Sequence, residues 1–169
     1  MNSMEAILSR RSIRKYTHEP VAEDLIEDIL KAGMNAPSAG NEQPWHFVLI
    51  DDRSVLNEIS KLHPYAKMLS EAPLALLVCG DESREKFRDF WVQDCSAATE
   101  NMLLAAHALG LGAVWLGIFP AEKQVEGVRR LLNIPGHVIP FSIISLGYPA
   151  EEKEGLDRYD ASRVHRNSW

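Results

Sequence analysis

The stretch from Phe87 to Leu109 constrains the fold more than any other. Its spacing predicts one long helix, roughly 35 Å at 1.5 Å per residue, broken by Gly110 and Gly112. Trp91, Cys95, Ala98, Met102, Ala105 and Leu109 recur at steps of four and three, a seam fit for another helix. Leu103, Leu104, Ala106 and Ala108 widen the apolar surface beyond one stripe. A helix of this kind is central. Its surface can be covered within the chain or by a second subunit, and the sequence leaves both open.

The other elements must pack around it. Ser3 can cap a short helix through Leu8, and Ala22–Met34 reads as a second helix, with Leu25, Ile26, Ile29, Leu30 and Met34 in helical register. Ala36–Pro44 is dense in turn formers and reads as a loop. His46–Ile50 and Leu74–Cys79 are nearly continuous in apolar residues and read as strands covered on both faces. Ser54–Leu62 and Glu122–Leu132 read as helices, Ala113–Ile118 and Val138–Leu146 as strands. Helices and strands mix without regular alternation, which predicts a layered α+β domain. With 169 residues the chain is one domain, and burial of about 70% of its unfolded surface makes a disulfide or metal staple unnecessary. Residues 151–169 are too poor in apolar groups for a core element. Tyr159, Val164 and Trp169 nevertheless suggest an extended arm laid on a surface, such as a partner's.

Eighteen basic against twenty-four acidic side chains give a net charge of −6. Such a field repels polyanions and argues against nucleic acid as a partner. No apolar run approaches a membrane span, and the N-terminus reaches an arginine pair too soon for a signal-peptide core. Cys79 and Cys95 lack the spacing of a metal or redox motif. The expectation is a cytoplasmic protein without membrane attachment. Six histidines on separate elements share no ligand spacing, so no metal site is expected.

Common catalytic signatures are missing: there is no G-x-S-x-G, Walker A or H-E-x-x-H sequence. Gly110-Leu-Gly112 follows a helix and precedes a strand, the reverse of a dinucleotide fingerprint. No catalytic residue is therefore assigned. What remains is anion recognition. Arg10-Arg-Ser-Ile-Arg14 places three guanidinium groups and a hydroxyl within five residues, matched to phosphate oxygens. Cations at a helix C-terminus can equally be solvated complements of its dipole. Pro37–Pro44 offers hydroxyl, amide and backbone donors on a constrained turn, as do many ordinary loops. Ala113–Gly117 can bring backbone close to a ligand at Gly117, or form a plain core strand.

Taken as an ordered set, these segments resemble the nitroreductase family of FMN-dependent oxidoreductases, in its short form. The resemblance rests on Arg10-Arg-Ser-Ile-Arg14, Ala36-Pro-Ser-Ala-Gly-Asn-Glu-Gln-Pro-Trp45, Leu109-Gly-Leu-Gly-Ala-Val-Trp-Leu-Gly117, Ile144-Ser-Leu-Gly-Tyr-Pro149 and Arg163-Val-His165. It implies a homodimer with a three-layer α/β/α sandwich, a mixed or antiparallel central sheet, and FMN at each of two interface sites. Residues 1–150 would form the FMN-binding domain, with 151–169 as an arm of the same domain serving the phosphate site and the dimer. Arg10, Arg11 and Ser12 would hold the phosphate with Arg163, and Arg14 would lie at the pyrimidine end of the ring. Pro37, Ser38, Ala39 and Asn41 of the other subunit would cover the ring. Trp115, Leu116 and Gly117 would border its N5 side, with a backbone N–H facing N5. Lys67 corresponds only loosely to a family lysine near the flavin. Gly40 departs from the bulkier residue common at that position.

The implied activity is ping-pong transfer of hydride from NADH or NADPH, through the flavin, to a nitroaromatic, quinone or similar small-molecule acceptor. Flavin carries this chemistry itself, which accounts for the absent triad. A same-fold flavoprotein with other chemistry, such as reductive dehalogenation or flavin destruction, and a non-enzymatic FMN-binding protein are the alternatives.

Overall fold

The computed structural model describes residues 1–169. Five helices, α1 (Ser3–Ser9), α2 (Glu23–Met34), α3 (Arg53–Leu62), α4 (Trp91–Ala108) and α5 (Glu122–Leu132), accompany four strands, β1 (Trp45–Ile50), β2 (Leu74–Asp81), β3 (Gly112–Gly117) and β4 (Val138–Gly147). The strands form one antiparallel sheet in the order β1-β2-β4-β3. Its central pair is set by Leu74↔Leu146, Leu76↔Ile144 and Leu77↔Ile143, with a bulge between Val78 and Cys79.

Alternation along β2 divides the interior in two. Leu74, Leu76 and Val78 face a core with Ile26 and Ile29 of α2 and Trp91, Cys95, Ala98 and Met102 of α4. Ala75, Leu77 and Cys79 face a second core with Leu56 and Ile59 of α3 and Val125 and Val128 of α5. The result is the expected α/β/α sandwich. Both central strands are covered on two faces, which explains their near-continuous apolar sequence. β1 is not: it lies at an edge, and His46 and Leu49 are exposed there.

The long helix begins at Trp91, four residues later than its spacing predicted, after an irregular Glu82–Phe90 connection. Its seam is filled within the chain. Gly33 of α2 approaches so closely that a Cβ there would stand 2.8 Å from Met102 Cγ. The far end behaves differently. Leu104 and Ala105 are half-buried and Ala108 is exposed, beside Ala6 and Ile7 of α1. Helix α1 is capped by Asn2, not Ser3: Asn2 Oδ1 accepts from Glu5 N, and Asn2 N donates to Glu5 Oε2. It leaves Met4, Ile7 and Leu8 more than half exposed. Residues 152–169 are exposed throughout, in an extended arm with one turn at Ala161–Arg163. No helix is long and apolar enough to cross a membrane.

Gly80 of β2 lies under the Trp91 indole, where a Cβ would stand 2.9 Å from both Cδ2 and Cζ3. Phe119 and Phe141 hold that indole edge-to-face at 4.9 and 6.0 Å, so it has no room to yield. Gly80→Ala should therefore destabilise the domain by about 1–3 kcal/mol, read as a lower urea midpoint at unchanged slope.

Candidate functional site

Strand β3 is an edge, and its register with β4 decides which backbone groups stay free. Ile13 N donates to Ala113 O at 2.9 Å, so Ala113 points outward from the sheet. By alternation Trp115 and Gly117 also turn their N–H and C=O groups to the open edge, while Val114 and Leu116 bond inward to β4. Gly117 is exposed, and nothing lies within 4 Å of where its Cβ would be. The Trp115 ring is half-buried, edge-to-face with Phe141 at 5.8 Å. Leu116 is turned into the second core, so its side chain is withdrawn from the edge.

The arginine segment is laid against the start of this edge. Ser12 bridges Ala113, and Tyr16 pins the segment by donating its hydroxyl towards Ile13 O at 2.7 Å and Ser145 O at 3.2 Å. Arg11 donates from Nε to Glu154 O at 3.0 Å and from its terminal nitrogens to other carbonyls, with no carboxylate among its partners. Arg10 has one, Glu100 Oε1 at 3.5 Å. The Arg14 side chain is exposed, while its N–H is accepted by Glu151 Oε1 at 2.6 Å. That hydrogen bond, against the opposing effect of burial and with help from Lys153, keeps the Glu151 carboxyl below its usual range. His107, 2.7 Å from Ser9 Oγ, is pushed down by burial and then by the charges of Arg10 and Arg11. The cluster is therefore an electropositive spot in an acidic protein. Its donors suit a phosphate, and the free N–H groups along β3 suit the polar edge of a planar ring, so the residues present fit FMN.

The turn-rich loop lies elsewhere. Pro37 and Asn41 are exposed, Ser38 and Ala39 half-buried, and Gly40 and Asn41 both adopt left-handed backbone. Ala39 N donates to Asp94 Oδ1 at 3.0 Å, tying the loop to the first turn of α4. Arg10 is held at Glu100, six residues further on. The two anchors are about 9 Å apart along the helix and roughly 120° apart around it. Within one chain the loop and Arg10 therefore meet α4 at different places on its surface. Arg163 stays in the exposed arm, its Nε 3.0 Å from Asp160 Oδ2. Lys67 is exposed on a short turn whose next residue, Met68, packs against Ile13 and Tyr16.

Of the seven buried polar residues, sequence reading missed the roles of three that touch the loop or the strand edge: Glu42, His63 and Asp94. Each stands alone among ordinary neighbours, and only folding gives it partners. Glu42 Oε2 accepts from Lys86 N at 2.7 Å and Phe87 N at 3.3 Å, fixing the connection before α4 over the loop. Glu42 Oε1 and Asp94 Oδ2 are buried without a partner. Burial holds the Asp94 carboxyl above its usual range; the Ala39 N–H opposes this, and the adjacent Glu42 reinforces it.

The chain belongs to the nitroreductase family, whose model matches residues 7–67 and 57–148. A relative from Methanothermobacter thermautotrophicus carries a provisional name coupling NADH dehydrogenase with NAD(P)H nitroreductase. It is 55% identical over 169 residues, which are 100% of this chain and 88% of that one. A solved structure from Parabacteroides distasonis under the same provisional name superposes with a TM-score of 0.96 at 39% identity, covering 100% of both chains. A provisionally named nitroreductase from Desulfovibrio desulfuricans, solved in complex with FMN, gives a TM-score of 0.86 at 32% identity. That match covers 100% of this chain and 98% of the other.

Asp94→Asn tests the carboxyl pair. Asparagine keeps an acceptor for Ala39 N and offers Glu42 a donor without a second charge. Because the folded-state pKa of Asp94 is raised, its contribution to stability is complete below the unfolded value of about 3.9 and declines as pH climbs above it. The variant should therefore be more stable than the parent at pH 7, by about 1 kcal/mol in urea unfolding. The advantage should vanish near pH 4.

Proposed function

We propose that the protein is an FMN-dependent oxidoreductase that takes hydride from NADH or NADPH and delivers it to a nitroaromatic, quinone or similar acceptor. The observation that carries this reading is the bridge between Ser12 and Ala113. It sets a guanidinium cluster, in which Arg11 has no carboxylate partner, at one end of a strand edge and the free N–H of Gly117 about 13 Å further on. That leaves room for a sugar-alcohol chain between a phosphate and a ring. FMN bound there supplies the hydride chemistry, so the chain need contribute no acid, base or nucleophile. Its own residues bind and orient. Arg10, Arg11 and Ser12 hold the phosphate, and Arg163 joins them from the arm. Arg14 places positive charge at the pyrimidine end, where reduction adds electron density. Gly117 donates its N–H at the N5 edge, and Trp115 walls the same side.

The working unit in this reading is a homodimer. A loop anchored on α4 apart from Arg10 can serve the arginines of a second copy, so Pro37, Ser38, Ala39 and Asn41 cover the partner's ring. Exposed Met4, Ile7 and Leu8, with the outer strip of α4, supply apolar surface for that contact. The 151–169 arm lies across the partner as part of the same domain. Donor and acceptor use one cleft in turn. A cytoplasmic location fits the two free, buried thiols of Cys79 and Cys95, the former pushed up to about 12 by burial.

Purified protein should be yellow and elute at twice the chain mass. Arg10→Ala combined with Arg14→Ala should give a folded but colourless protein; flavin retained in that double variant would overturn the phosphate assignment. Anaerobic bleaching by NADH or by NADPH identifies the donor, and parallel double-reciprocal plots are the expected sign of a shared cleft.

A further inference from the structure

His63 ends α3, on the side of the sheet away from α4, yet its ring reaches the open edge of β3. It is 9% exposed, and both ring nitrogens are engaged. Nε2 lies 2.9 Å from Gly117 O, and a carbonyl can only accept, so Nε2 carries the proton. Nδ1 lies 3.2 Å from Tyr65 N, which can only donate, so Nδ1 carries none. The partners on either side thus fix one neutral tautomer.

Gly117 needs such a hold. It has no side chain to pack, and open space lies where a Cβ would be. Immediately after it the ladder ends, with Ile118 N and Phe119 N both donating to Phe141 O at 3.0 Å. Glycine has the freest backbone torsions of any residue, so this strand end would otherwise be loose. With its carbonyl occupied by His63, Gly117 has only its N–H left for the cleft.

We propose that His63 is a positioning residue of the flavin site, clamping the Gly117 carbonyl so that the strand edge offers the ring a donor and not an acceptor. This rests on the FMN reading above. A donor at N5 favours the oxidised ring, whose N5 accepts. An unclamped carbonyl could turn and accept from the N5–H of the reduced ring. Both effects act in the same direction. Removing the clamp weakens the binding of oxidised FMN relative to reduced FMN, and the midpoint potential moves positive.

The test compares the parent, His63→Leu, His63→Gln and His63→Ala, each loaded with FMN. Oxidised-FMN affinity is read by fluorescence quenching, the midpoint potential by dye equilibration, and the fold by circular dichroism. His63→Leu should lower the oxidised-to-reduced affinity ratio about fivefold, the size of one lost hydrogen bond. His63→Gln, whose amide can donate to Gly117 and accept from Tyr65, should stay within about twofold of the parent. Added imidazole should restore the ratio in His63→Ala, which keeps the test decisive if the leucine variant does not fold. An unchanged ratio in folded His63→Leu, or no recovery with imidazole, overturns the assignment of His63. A parent protein that binds no FMN overturns the functional reading, and the assignment with it.

Discussion

Everything else in the molecule hangs on the pairing of β2 with β4. These strands carry the most apolar stretches in the chain, and neither can face water on either side. Their residues are therefore divided by alternation between two cores, and each core requires its own layer of helices. α2 and α4 cover one face, α3 and α5 the other. The sandwich follows from the need to bury both faces of one antiparallel strand pair.

Growth of that sheet stops at β3, and the open edge is the useful part. An edge strand is a liability unless something covers it, because its unpaired N–H and C=O groups invite association. The chain closes the start of the edge with the arginine segment and leaves the end open at Gly117. The same bridge brings guanidinium groups to the edge. Only Arg10 is paired with a carboxylate, Glu100, so the segment keeps positive charge although the protein as a whole carries −6. A fold feature and the proposed binding feature share one backbone contact.

Buried polar groups then set the details. Such groups are costly unless satisfied, so each one that persists marks a place where geometry is held. Asp94 holds Ala39, Glu42 holds the Lys86–Phe87 backbone, and His63 holds Gly117. Two of these anchors fix the loop that serves a partner's ring in the proposed dimer. The third fixes the strand end that faces the chain's own.

Much of this was legible in the residues. Apolar continuity in Leu74–Cys79 announced a doubly covered strand, and Glu122–Leu132 is a helix with the bounds its periodicity predicted. The arginine knot, the turn-rich loop and the Ala113–Gly117 strand were visible as separate pieces, because each depends on local side-chain chemistry. Other features were not local. β1 reads like a core strand but lies at an edge, since strand order is a property of the whole sheet. The outward direction of Gly117 and the inward burial of Leu116 depend on register with β4, which no single segment encodes. His63, Asp94 and Glu42 acquire partners 54, 55 and 44 positions away, so nothing beside them in sequence reveals their roles. The sequence by itself determined which elements form and what charge they carry. Only the tertiary structure decided which backbone groups stay free and which side chains hold them, because those depend on long-range pairing and burial.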